Sequence, residues 1–175
     1  MLEIFTSLAA LQFNRLMGVY TESNEENARE FYPNEENGIA LNRVESEFYQ
    51  YLKEVFFPVD GARYAVWEED GEYRAALRLE PYRDGLLIEA LETHPQYRKM
   101  GYGKTLIQSV QKKLGEQGPL VLYSHIGKRN TASIKTHLAC GFHRISEQAV
   151  YIDGSVNDRC ATYRIELGGE SWQET

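Results

Sequence analysis

The chain has little cysteine, no long apolar run and no excess of basic residues, and each absence excludes a class of protein. Cysteine occurs only at Cys140 and Cys160 among 175 residues. Two thiols make no disulfide framework, and a chain of this length buries a sufficient core without one. They read as free thiols in a reducing compartment, so a cytoplasmic location is expected. No stretch reaches the roughly eighteen apolar residues of a membrane helix. The opening MLEIFTSLAALQF has no basic n-region and no small-residue cleavage site, so no secretion signal is read. The formal net charge of −7 has the wrong sign for a non-specific nucleic-acid binder and is compatible with cationic substrates such as amines. No His/Cys/Asp/Glu cluster has metal-ligand spacing, so no metal is expected. No internal repeat or low-complexity segment appears, and the length is that of one domain.

What the chain does have is concentrated in residues 86 to 106, LLIEALETHPQYRKMGYGKTL. Leu86, Leu87, Ile88, Ala90 and Leu91 form a strand-like apolar run, interrupted by Glu89 and Glu92. Pro95 ends it, because proline has no N–H for a sheet ladder. Arg98-Lys99-Met100-Gly101-Tyr102-Gly103 follows, and then Leu106, Ile107, Val110 and Leu114 recur at helical spacing. A strand, a basic glycine loop and a helix in that order build an anion site. The first amides of a helix lack intrahelical partners, and the helix dipole adds positive charge there. Gly101 and Gly103 leave room for a phosphate, while Arg98, Lys99 and Lys104 bring full charges.

The loop is not the G-x-x-x-x-G-K-[ST] of a nucleoside triphosphatase, and it lacks the third glycine of the dinucleotide fingerprint. It resembles the [QR]-x-x-G-x-[GA] pyrophosphate loop of the GNAT N-acetyltransferase superfamily. A second stretch, NTASIKTHLACGF at 130 to 142, resembles the same family's following motif. Its asparagine, small residue and Gly-Phe pair fall on Asn130, Ser133, Gly141 and Phe142. One position departs: His137 stands where the family usually carries tyrosine.

The rest of the chain is read from periodicity. A helix is predicted over 6–20, with Leu8, Leu11, Leu16, Val19 and Tyr20 on one face and Thr6 or Ser7 as cap. Residues 21–37 predict a short helix ending before Pro33, then an acidic loop. A stripe from Leu41 to Phe56 predicts a helix ending before Pro58. Asp70-Gly71 marks a hairpin between two strands in 63–83, and a turn at Arg83-Asp84-Gly85 leads to the central strand. LVLYS, FHRISEQAVYI and RCATYRIEL read as three later strands.

The resemblance implies an α/β (α+β) fold with a central mixed, mostly antiparallel, six- to seven-stranded sheet, flanked by helices and splayed between strands 4 and 5. It implies one domain: a helical acceptor-side region over about 1–60, a sheet and acetyl-CoA-binding core over 61–167, and a tail over 168–175. The implied chemistry is direct acetyl transfer from acetyl-CoA, the cosubstrate, to a primary amine, through a tetrahedral oxyanion. Arg98, Lys99, Met100, Gly101, Tyr102, Gly103 and Lys104 would hold the pyrophosphate. Main-chain groups at Leu91 and Thr93 would hold the pantetheine and polarise the carbonyl, with Asn130 and Ser133 along the arm. Glu89 is the first candidate for the base: it interrupts an apolar strand four residues before Thr93, where some aminoglycoside-acetylating members of the family carry a glutamate. Strict alternation puts Glu92 on the opposite face unless a bulge intervenes. His137 inherits the position of the family's acid or merely contacts the coenzyme, and His125 is a second proton carrier. A small-molecule amine is the expected acceptor, with no nucleic acid and no membrane as partner. Alternatives are a protein or peptide acceptor, or a non-catalytic acyl-CoA-binding module. Closing strands of this family often serve as dimer edges, so homodimerisation stays open.

Overall fold

The computed structural model describes residues 1–168, so the expected tail at 168–175 lies outside them apart from Gly168. Asp70 and Gly71 take φ of 54° and 79°, the left-handed pair that a tight two-residue hairpin requires. They join β2 (Arg63–Glu69) to β3 (Glu72–Tyr82) with Glu69 opposite Glu72. The turn at 83–85 returns the chain as β4 (Gly85–Thr93), antiparallel to β3. At the far edge, β1 (Leu2–Phe5) pairs antiparallel with β2.

After β4, α4 (Tyr102–Gly115) crosses to β5 (Leu120–Gly127), which runs parallel to β4. Then come α5 (Thr131–Ala139), β6 (His143–Ser146), β7 (Ala149–Val150), β8 (Val156–Asn157) and β9 (Cys160–Leu167). The last strand inserts between β5 and β6, giving the order β1-β2-β3-β4-β5-β9-β6. Every neighbouring pair is antiparallel except β4–β5, and β7 with β8 forms a separate two-stranded ribbon. The mixed, mostly antiparallel sheet of six to seven strands implied by the resemblance is found, with seven.

Several boundaries moved. The helix expected over 6–20 begins only at α1 (Phe13–Val19), with Gln12 before it and no side-chain cap from Thr6 or Ser7. The sheet claims Leu2–Phe5, so the chain must turn over 6–12 before it can wind. There the Gln12 N–H donates to the Tyr73 hydroxyl at 3.3 Å. Next, α2 (Thr21–Phe31) ends before Pro33, and α3 (Asn37–Tyr51) starts earlier than its apolar stripe. A π-helical turn, Leu52–Phe56, completes it before Pro58. The single strand expected from FHRISEQAVYI is two. Gln148 is held in a turn, its N–H donating to Ser146 Oγ at 3.1 Å and its carbonyl accepting from Thr162 Oγ1 at 2.7 Å.

Both faces of the sheet are packed. On one, Leu77, Leu79 and Ile88 meet Leu106, Ile107, Val110 and Leu114 of α4 and Phe142 after α5. On the other, Tyr64, Val66 and Ala76 meet Leu16, Val19 and Tyr20 of α1 together with Leu52 and Phe56. Burying side chains of this size contributes roughly 1.5–3 kcal/mol each. The sheet is therefore held rigid from both sides. Among the described residues, no helix is long and apolar enough to cross a membrane.

Candidate active site

The site grows out of a mismatch between β4 and its two neighbours. Against β5, β4 pairs only over Leu86–Ile88, opposite Leu122–Ser124. Gly85 allows the close approach at one end: a Cβ there would lie 2.0 Å from the Val121 carbonyl oxygen. At the other end the strands part, because β5 continues straight to Gly127 against β9 while β4 bends. The bend is a bulge. Arg78 faces Glu89 and Ala76 faces Glu92, so β4 spends three steps where β3 spends two. Ala90 absorbs the extra residue at φ 48°, a conformation unfavourable for a side chain with a Cβ.

Two buried tyrosines brace that strained residue. Tyr64 donates to the Tyr20 hydroxyl at 2.7 Å, and Tyr20 donates to the Ala90 carbonyl at 2.7 Å. Tyr20 is 4% exposed and Tyr64 fully buried. Burial drives both phenols well above their ordinary pKa, so they act as neutral donors. The bulge also overturns strict alternation, because Glu92 now shares the face of Glu89. Glu92 accepts from Ser23 Oγ of α2 at 2.5 Å, and burial raises its carboxyl against the pull of that bond.

Past the last parallel rung, Ile88 opposite Ser124, the next residues are Glu89 and His125. Both share the face of Leu87 and Tyr123, so they flank the mouth of the splay. Glu89 Oε2 is shut off from solvent, as are both ring nitrogens of His125, and none of the three has a hydrogen-bond partner among the described residues. The His125 ring stands edge-on to Tyr82 and Tyr151, at 5.3 and 5.4 Å between centroids. Burial, helped by the Arg83 charge, lowers its pKa and keeps it neutral. Glu80 lies on the same face of β3, its carboxyl raised by burial and by the nearby carboxylate of Glu89.

On the other side of the splay lies the glycine loop expected to bind an anion. Gly101 is the N-cap of α4 at φ 86°, and Lys99 also takes a left-handed φ of 62°. The turn delivers the first α4 amides, from Tyr102, Gly103 and Lys104, outwards. A Cβ on Gly101 would meet nothing within 4 Å, and one on Gly103 would meet only Thr93 Oγ1 at 3.3 Å. The surface over the loop is thus open to a ligand. Arg98 is engaged in an ion pair with Glu22 of α2, and Met100 is largely exposed. Tyr102 bonds Glu69, and Tyr97 donates to Glu72 at 2.6 Å, which ties the loop to the β2–β3 hairpin. Leu91 and Thr93 lie on the stretch of β4 whose β5-facing edge has no strand partner.

Asn130 caps α5, its side-chain oxygen accepting from the Ser133 N–H at 3.0 Å. His137 is 1% exposed. Its Nδ1 lies 2.9 Å from the Ser133 carbonyl, which can only accept, so Nδ1 carries the proton. Nε2 is then an acceptor, buried and unpartnered among the described residues. Burial lowers its pKa despite that bond. Cys140 is buried and its thiol raised by burial, which suits packing against α4, where Gln111 Nε2 donates to the Cys140 carbonyl at 2.8 Å. Among the described residues no group of three or more His, Cys, Asp or Glu is placed to hold a metal. Sequence reading missed Arg78, Glu80, Tyr20 and Tyr151. The only signal was a charge at alternate positions of RAALRLE, a pattern that ordinarily marks a solvent face.

The sequence profile of the acetyltransferase (GNAT) family matches residues 21–142, well over half of the chain. The chain belongs to that family. No curated protein matches it. Among solved structures, the Escherichia coli ribosomal-protein-S18-alanine N-acetyltransferase superposes with a TM-score of 0.59 at 16% identity, covering 100% of this chain and 99% of that one. The Thermoplasma acidophilum PaiA N-acetyltransferase in complex with coenzyme A gives 0.62 at 15% identity, covering 94% and 98%. A spermidine N-acetyltransferase chimera of Vibrio cholerae SpeG and hSSAT gives 0.56 at 15% identity, covering 95% of each. At such identities the likeness is one of fold alone, and it chooses no substrate.

Proposed function

We propose that the chain transfers an acetyl group from acetyl-CoA to the primary amine of a small molecule by direct attack. One observation carries this reading: Glu89 and His125 are the first side chains past the β4–β5 pairing, on one face, each with buried polar atoms left without partners. The residues fit the cosubstrate. The open glycine turn and the outward amides of Tyr102, Gly103 and Lys104 suit a pyrophosphate, with Lys99 and Arg98 adding charge once Glu22 yields. The unpaired edge of β4 from Leu91 to Thr93 offers main-chain bonds to an extended amide-bearing arm, and Asn130 and Ser133 border its other side.

In the transfer, the bond from the amine nitrogen to the acetyl carbon forms and the carbon–sulfur bond breaks. The acceptor ammonium gives up two protons. Glu89 takes the first, directly or through one water, and the second passes through solvent to the departing thiolate. Neutral His125 beside the same mouth accepts a hydrogen bond from the amine and orients its lone pair. His137, with its proton committed to Ser133, acts as a contact to the cosubstrate, and the thiolate departs without a proton from it. Residues 1–60 shape the acceptor side and 61–167 hold the cosubstrate within one domain. The acidic charge and the two free cysteines suit a cytoplasmic protein.

Calorimetry with acetyl-CoA, followed by thiol release against a panel of amines, tests the proposal. Binding with turnover on a small amine supports it. Binding with no turnover on any amine removes small-molecule transfer, and absence of binding removes the assignment of residues 98–104.

A further inference from the structure

Arg78 and Glu89 stand directly opposite one another on β3 and β4, on the face covered by α1 and the end of α3. Opposite charges at that spacing ordinarily close a cross-strand pair. These do not. Arg78 Nε and Glu89 Oε2 are both withdrawn from solvent and both without a partner among the described residues. The guanidinium lies instead over the rings of Tyr51 and Phe56, 5.1 and 5.6 Å from their centroids. Arg78 Nε and Glu89 Oε2 thus each lack the hydrogen bond that a buried polar atom needs, with the Glu80 carboxyl beside Glu89 on the same face.

A group that satisfies both must carry a cation and an anion on neighbouring atoms. An aliphatic monoamine or a polyamine meets Glu89 but brings a second cation towards Arg78. A peptide N-terminus presents a neutral amide where the guanidinium needs an anion. A free α-amino acid carries ammonium and carboxylate on one carbon, a separation suited to adjacent cross-strand side chains. We propose that the acceptor is a free amino acid, with its ammonium at Glu89 and its carboxylate on Arg78. This rests on the reading of Glu89 as the acceptor-side base. The rings of Tyr51, Tyr82 and Tyr151 border the same face, so the preferred amino acid has an apolar side chain.

The test compares three matched sets in the thiol-release assay: leucine and phenylalanine, their amides, and the decarboxylated amines isoamylamine and phenethylamine. The free amino acids should exceed both other sets in kcat/KM by at least about tenfold, because a site built for a charged group rejects an analogue that leaves it unpaired. R78Q should lower the amino acids most and collapse that preference, while R78K keeps part of it. Unchanged acetyl-CoA binding by R78Q would show that the variant is folded. Calorimetric titration of leucine into the protein saturated with coenzyme A should give binding that R78Q loses. Equal or better turnover of the decarboxylated amines overturns this inference and leaves the acetyltransferase reading standing. So does an equal loss on all three sets in R78Q. No turnover of any set, with acetyl-CoA bound, overturns this inference, while turnover of another amine of the panel leaves the acetyltransferase reading standing.

Discussion

The two sides of the splay are built in opposite ways. The proposed phosphate side is contiguous: β4, the turn at 98–101 and the start of α4 follow one another within residues 86–106. The proposed acceptor side draws Tyr20 from the end of α1, Ser23 from α2, Tyr51 from α3, Arg78 and Glu80 from β3, Glu89 from β4, His125 from β5 and Tyr151 from the connection between β7 and β8. A contiguous site depends on local backbone rules and tolerates distant change. A dispersed one depends on the register of every strand that contributes to it. Damage to the first should therefore abolish one function cleanly, whereas damage to the second should spread over rate, selectivity and stability.

The sharpest test of that contrast is Gly103→Glu. It sets bulk and negative charge against the outward amides of α4 and should weaken acetyl-CoA binding by at least about 100-fold. The circular dichroism spectrum should stay that of the parent; retained binding would show that the loop does not hold the pyrophosphate. Glu89→Gln comes next. Its kcat should fall by about 10²–10⁴-fold with acetyl-CoA affinity preserved, and the acidic limb of the pH–rate profile should disappear. A profile identical to the parent's would take the base role from Glu89.

Tyr20→Phe probes the brace under the bulge. Loss of the bond to Ala90 should cost about 1 kcal/mol, read in a denaturant melt, and lower kcat roughly tenfold. Adding Ala90→Gly, which makes the left-handed φ comfortable, should restore part of the rate. If the double variant is no faster than Tyr20→Phe, the bulge does not depend on that bond.

The smallest effect is on stability against pH. Burial holds His94, His125 and His137 below the usual imidazole pKa, so the unfolded chain binds protons that the folded chain refuses. Their contribution is complete above the unfolded value of about 6.5 and is lost as pH falls below it. His137→Gln should narrow the drop in Tm between about pH 7.5 and about pH 5.5. A drop as large as the parent's would place the coupling in the other histidines.

The same contrast explains what could be read in advance. Asp70-Gly71, Pro33, Pro58 and Pro95 fixed turns and ends where expected, because glycine and proline constrain the backbone whatever surrounds them. The glycine turn that opens α4 at Gly101 was legible for the same reason. The start of α1 was not, because Thr6 and Ser7 are good caps in isolation but β2 captures Leu2–Phe5 first. Nor was the break in FHRISEQAVYI, which depends on Thr162 reaching across from β9.

The candidate carboxylate at Glu89 came with the family resemblance; from the sequence alone came the order of helices and strands from α1 to β5 and the glycine turn at the N-terminus of α4. These rest on periodicity and on single-residue backbone preferences, which act over a few neighbours. Only the tertiary structure decided that Glu92 shares the face of Glu89, that Tyr20 props Ala90, and that Arg78 confronts Glu89 without closing a pair. Those facts follow from one inserted residue in β4 and the pairing it shifts. A register is a property of two strands at once, and no single stretch of sequence carries it.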